Sequence, residues 1–231
     1  PKQWSLALDF VKQVKPIFVA VDDVAHFSTR SHHNRNDSKH LYATRHESVE
    51  NDLLQVINQL NELAELAPVY CTESNHNSAI DNWLNDTGVK IDYDSHNAKL
   101  YNLLKWLVME TLDSGETEKN ALQVALEHAD LTKLPPLSDR VTFGRMDKPK
   151  IGYIYDFSQH GHKGQNGTAG NPNQLKRLNI PLVTGHTHSP SILGGSGASV
   201  FTTGVTARLN QGYNRGGASG WDHAHVMEHS N

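Results

Sequence analysis

The feature that most restricts the fold is a repeated layout. Short apolar runs rich in β-branched residues stop abruptly at polar ones, and stretches of helical periodicity lie between them. Ile17–Val21, IFVAV, stops at Asp22 and Asp23. Pro68–Thr72, PVYCT, stops at Glu73, Ser74, Asn75, His76 and Asn77. Ile151–Phe157 runs into Ser158–His162, and Ile180–Val183 into Gly185, His186 and His188. Runs of this length and composition suit buried strands. Before the first, Leu6, Ala7, Phe10, Val11 and Val14 recur at helical spacing, and Pro16 ends the segment. Before the second, Val49, Leu53, Val56, Ile57, Leu60, Leu63 and Ala64 mark a long amphipathic helix. This alternation predicts an α/β protein, in which ligands gather beyond the carboxyl ends of strands.

The remaining stretches fit around that frame. Thr29–His40 is polar and predicts a loop, and Thr44 with Glu47 has the spacing of a capping box. Ser78–Leu84 predicts a short helix, and Asn85–Ser95 a loop. Leu100–Val108 and Ala121–Leu126 predict two helices of an insert at about residues 95–135, closed by Leu134–Leu137, LPPL. Val141–Phe143 predicts a strand, with Asp147–Lys150 as the turn to the next. Asn171 and Pro172 suit an N-cap with proline at the first helical position, opening a helix to Leu178. Gly194–Gly197 reads as a turn, Ser199–Thr203 as a strand and Gly216–Gly220 as a loop. The stretch His223–Asn231 carries no signal.

Bulk properties narrow the function. The 231 residues suffice for one large domain or two small ones. At a net charge of −4 no broad basic surface is implied, so contact with nucleic acid must come from a local patch. The single cysteine, Cys71, excludes an internal disulfide framework and suits a reducing compartment. No apolar run approaches the ~20 residues of a membrane span, and no signal peptide is visible. A cytoplasmic location without a membrane partner is expected. The unusual number is fifteen histidines, many in pairs: His32 with His33, His160 with His162, His186 with His188, His223 with His225.

Neutral imidazole is the commonest metal ligand near pH 7. By itself a His-x-His pair is often a solvated loop, and Asp22-Asp23 a turn or helix cap. Four successive apolar runs ending in Asp, Asn or His together specify a mixed oxygen and nitrogen site. That set suits Mn²⁺, Fe or Zn²⁺, and without thiolates it is not a structural zinc knuckle. Two ions sharing a carboxylate could clamp the attacking and leaving oxygens of a phosphoryl group. Arg30, His33, Arg35 and Lys163 are candidate contacts to substrate phosphate, with plain solvation as the alternative. His32 and His33 either order their loop or touch substrate.

GHTH at Gly185–His188, the Asn75-His76 pair after a strand, and His160-Gly161 between them resemble motifs of the calcineurin-like metallophosphoesterases. The resemblance runs from Val11 to Trp221. It is strongest to a phage-encoded branch associated with DNA degradation and transfer, through the D-V-x-x-F-S-x-x-x-HHN stretch at Asp23–Asn34, SNHN at Ser74–Asn77, and HGHKGQNG at His160–Gly167. It implies a sandwich of mixed β-sheets flanked by helices, as one domain over residues 1–231. It implies a phosphodiester hydrolase that uses a metal-activated water, a DNase in the host cytoplasm, and it leaves room for a homo-oligomer. Asp23 would bridge one or two divalent ions, Mn²⁺ foremost. Asn75, His160 and His186 would complete the second position, and His188 would bind at the first. His76 would steady the scissile phosphate or protonate the leaving oxygen. His162 is read as standing behind the ligands or at the surface.

The chain also departs from the pattern. No D-x-H precedes Asp22, which stands where the family usually has glycine. His26 stands in place of a second acid, Ser74 replaces glycine, and Asn77 replaces the acid after His76. The first metal position keeps only Asp23 and His188. The expectation is either a domain lacking its N-terminal strand or a one-metal or inactive relative. Two rival functions stay open: a phosphatase or phosphodiesterase for small molecules, and a degenerate metal-binding scaffold.

Overall fold

A computed structural model describes residues 2–30, 38–85, 96–144, 152–194, 198–209 and 219–229. Helix α1 spans Lys2–Val14 and strand β1 Val19–Val21; α2 (Ser38–Ala43) and α3 (Val49–Leu66) precede β2 (Val69–Cys71). Helices α4 (Ala79–Asn85), α5 (Ala98–Asp113), α6 (Ala121–Glu127) and α7 (Ala129–Thr132) lead to β3 (Val141–Phe143). Helix α8 (Pro172–Lys176) is followed by β4 (Leu182–Thr184), β5 (Ser191–Leu193) and β6 (Val200–Thr202). The strands form two sheets, ordered β1-β2-β3 and β4-β6-β5. Strands β1 and β2 are parallel, with Val19 opposite Val69 and Val21 opposite Cys71. The long connection through α3 is what a parallel pair requires. In the second sheet β4 runs parallel to β6 and β5 antiparallel to it. The architecture is α/β with mixed strand pairing.

The chain divides into two compact units. The first comprises Pro1–Asp23, Leu66–Ser74 and Thr142–Asn231, and the second Val24–Glu65 and Asn75–Val141. In the first, Leu175, Leu182 and Val200 form a buried cluster, with Leu178 and Leu193 packed against it. Helix α1 buries only Ala7 and Val11 of its apolar stripe, and Leu6 and Phe10 stay exposed. Phe18, beside β1, meets the ring of Phe157 edge to face.

In the second unit α3 buries Val49, Leu53, Val56, Ile57, Leu60, Leu63 and Ala64, the whole stripe its spacing predicts. Helices α4, α5 and α6 pack on one another. Polar side chains join their ends, where helix N–H groups lack partners of their own. Asn97 accepts from the Val49 N–H at 2.9 Å and donates to the Glu47 carbonyl at 3.1 Å. Asp81 accepts from the Ala121 N–H at 2.9 Å.

Several expectations change. Thr44 does not open α3: its hydroxyl donates to the His40 carbonyl at 3.0 Å, at the end of α2. Ser48 caps α3 instead, accepting from the Asn51 N–H at 3.4 Å. Within Thr29–His40 a 3₁₀ turn covers Ser28–Arg30 and α2 begins at Ser38. Residues 152–155 form bends and Asp156 makes an isolated bridge to Leu182, in place of the strand expected at Ile151–Phe157. The Glu228 carboxylate accepts the N–H groups of Tyr153, Ile154 and Tyr155, so they are not offered to a neighbouring strand. Helix α8 ends at Lys176 rather than Leu178, and β5 was not expected. Residues 86–95, 147–150, 195–197 and 216–218, which belong to expected loops and turns, lie outside the described residues.

Asn97→Ala would leave the buried Val49 N–H without its acceptor. Denaturant unfolding should show a loss of about 1–3 kcal/mol, and Asn97→Asp, which keeps the acceptor but sets a second oxygen against the Glu47 carbonyl, should also lose stability. Equal stability of all three proteins would show that α3 does not need this cap.

Candidate functional site

The first unit brings strand ends together through its backbone. Beyond β2, the Thr72 hydroxyl donates to the Val21 carbonyl at 3.1 Å and to Asp22 Oδ1. Asp22 is thereby tied to the end of the neighbouring strand. Asp156 lies alongside β4, its N–H donating to the Pro181 carbonyl and its carbonyl accepting from the Val183 N–H, both at 2.9 Å. Its Oδ1 accepts from the Ser158 N–H at 2.9 Å and the Ser158 hydroxyl at 2.6 Å, a turn that directs the chain to His160. The His160 carbonyl then takes the N–H groups of Gly185 and His186 at 3.2 and 3.1 Å.

Two glycines permit this approach. A Cβ on Gly185 would fall 2.7 Å from Asp22 Cβ, and one on Gly161 would fall 2.9 Å from Thr184 Cβ at a φ of +95°. Neither position has room for a side chain. Asp23 and His188 adopt left-handed backbone, with φ of +50° and +58°.

The side chains form a connected cluster. His160 is fully buried, with Nδ1 3.5 Å from Asp22 Oδ1 and Nε2 3.4 Å from Asp23 Oδ2. His188 Nε2 lies 3.3 Å from the same Asp23 oxygen. His186 Nδ1 lies 3.3 Å from His160 Nε2. The His162 ring is centred 5.4 Å from that of His160 and 6.2 Å from that of His186, and its buried Nδ1 makes no hydrogen bond. The indole of Trp221 meets His188 edge to face, at 4.4 Å between centroids.

Charge is distributed unevenly over these histidines. Burial works against a proton on His160, yet Asp23, with the hydrogen bond and charge of Asp22, raises its pKa on balance. Burial, then the charges of His160 and Lys163, push His162 down from 6.5 to about 4. Burial, followed by His160, also lowers His186.

Of the expected ligands, the first unit therefore gathers Asp23, His160, His186 and His188. Asn75 and His76 open the second segment of the other unit, where the His76 ring is centred 6.0 Å from that of His26. The Asn75 carbonyl accepts from the Ser78 hydroxyl at 2.9 Å. Arg30 donates to the carbonyls of Thr29 and Thr44, a local structural use of its guanidinium. Lys163 is exposed, and its charge reaches His162. His33 and Arg35 lie outside the described residues. His162 stands within the cluster, closer in than expected. Trp221 carried no chemical signal in the sequence.

The donor set is one that divalent cations accept. Two donors on a tetrahedral ion, each ~2.0–2.2 Å from it, stand ~3.3–3.6 Å apart. The spacings of Asp23 Oδ2 to His160 and His188, 3.4 and 3.3 Å, match that value. Among the described residues, however, no group of three or more His, Cys, Asp or Glu side chains stands ready as a metal cage.

The fold and cluster thus define an α/β chain with a buried histidine–carboxylate centre. Protein A1 of Escherichia phage T5 is 36% identical over 223 residues, covering 94% of this chain and 38% of that protein. The chain therefore spans well under half the length of this relative. No family model matches the chain, and no solved structure does. No helix among the described residues is long and apolar enough to cross a membrane.

The shifts set a pH signature for the metal-free protein. Between 6.5 and about 4 an unfolded His162 takes up a proton that the folded one refuses, so its contribution to stability is lost as pH falls across that window. His160 acts oppositely: its contribution is present below 6.5 and lost as pH rises through its raised folded pKa. NMR titration should find His160 keeping its proton to higher pH than His162, which should stay neutral until about pH 4. Both rings titrating near 6.5 would contradict the burial and ion pairing described.

Proposed function

We propose that the chain is a metal-dependent phosphoesterase of the calcineurin-like kind, acting on phosphodiesters with DNA as substrate. The observation that carries this reading is the meeting of Asp23 beyond β1, His186 and His188 beyond β4, and His160 on the loop after Asp156, residues far apart in sequence. Left-handed backbone at Asp23 and His188 adds support, because strained conformations gather at functional sites. Similarity to a phage protein agrees with the phage-encoded branch that the motifs resemble. Asp23, His160, His186 and His188, with Asn75 added only as the motif resemblance implies, would hold one or two divalent ions, Mn²⁺ foremost, with Fe or Zn²⁺ as alternatives. Such an ion lowers the pKa of bound water and neutralises developing charge on phosphoryl oxygens. Asp23 supplies the carboxylate, and His160 must release its proton to become a ligand. Affinity for the ion should therefore rise with pH above 6.5. By the motif resemblance His76 would protonate the leaving oxygen, and Lys163 is an exposed cation available to a neighbouring phosphate.

A second reading has one observation in its favour. Without a ready cage among the described residues, the cluster would be a buried ion-pair scaffold that fixes the fold. Nicking of supercoiled plasmid in Mn²⁺ separates the two. Cleavage is expected, falling about 10²–10⁴-fold in His76→Ala while bound Mn²⁺ is retained, with a steep dependence on salt. Mn²⁺ binding with hydrolysis of only small phosphodiesters would overturn DNA as the substrate. Neither binding nor cleavage would leave the scaffold.

A further inference from the structure

We propose that Trp221 is a positioning residue for His188, delivered by a strap, residues 219–229, that Glu228 latches to the first unit. His188 sits on the loop after β4, and no strand pairing fixes its ring. Two groups are set against it: Asp23 Oδ2 lies 3.3 Å from Nε2, and the indole of Trp221 is centred 4.4 Å away at an interplanar angle of 86°. Edge-to-face contact constrains ring rotation, which a salt contact at a single oxygen does not.

The strap is tied to the first unit at several points after that indole. The N–H groups of Val205 and Gly204 donate to the carbonyls of Asp222 and Ala224 at 2.9 and 3.0 Å. His223 Nδ1 lies 2.6 Å from the Val205 carbonyl, and the His225 ring stacks on Phe10 of α1 at 6.1 Å. Further on, the Glu228 carboxylate takes the N–H groups of Tyr153, Ile154 and Tyr155. Three consecutive backbone N–H groups make an anion-binding concavity, and this one is filled by the strap's own carboxylate. A tryptophan needed only to cover apolar surface requires no such latch. The arrangement instead fixes one imidazole relative to one carboxylate. Its consequence for a cation at Asp23 and His188 rests on the metal reading above, whereas the ring contact does not.

The test compares the whole chain with Trp221→Leu, Trp221→Phe and Glu228→Ala. In metal-free protein the His188 ring protons should be displaced from ordinary imidazole positions by the indole ring current. The displacement should vanish in Trp221→Leu and shrink in Glu228→Ala, which alters no group touching His188. Mn²⁺ affinity should fall about 10-fold in Trp221→Leu and recover toward the parent in Trp221→Phe. Unchanged His188 shifts in Glu228→Ala would overturn the latch. An unchanged affinity in Trp221→Leu, with shifts lost, would overturn the positioning role. A parent that binds no Mn²⁺ would fail the metal reading instead, and the ring-proton shifts alone would then decide whether the strap sets His188.

Discussion

His160 between two carboxylates is the interaction on which the first unit turns. Its ring is fully buried and meets Asp22 on one side and Asp23 on the other. Its carbonyl holds the two N–H groups that start the His186–His188 loop. A buried imidazole of this kind is tolerable only while its charge is balanced. Breaking such a pair by removing one partner costs about 3–5 kcal/mol, because the other charge is left buried. The same two carboxylates that hold a proton on His160 present the negative charge a cation would seek. Stability and the proposed chemistry thus draw on one set of atoms, and a Cβ on Gly185 would press against Asp22 within it.

Much of this was legible in the sequence where local pattern and burial coincide. The stripe from Val49 to Ala64 is buried residue for residue, because a single helix face against a core imposes its own period. The runs IFVAV and PVYCT became β1 and β2, and their parallel pairing follows from the helix between them. One rule, that each follows an apolar run, singles out Asp23, His160, His186 and His188, and the first unit brings them together.

What was not legible depends on partners distant in sequence. Glu228 diverts the N–H groups of residues 153–155 from a strand, although that stretch is apolar. Tyr153 and Ile154 are 67% and 57% exposed, so apolar composition there does not mean burial. Asn97 caps α3 from a distant loop, and no spacing rule could have found it. The division into two units is hidden for a similar reason: the chain passes between them at residues 23–24, 65–66, 74–75 and 141–142 without any shift in composition.

The most direct measurement is diffraction from crystals grown with Mn²⁺, recorded where the ion scatters anomalously. The expected result is a peak ~2.0–2.2 Å from Asp23 Oδ2 and His188 Nε2, with His160 and His186 turned toward it. A map with no peak there, and His160 still paired with Asp22 and Asp23, would contradict the metal centre and leave the histidine–carboxylate cluster as a structural core.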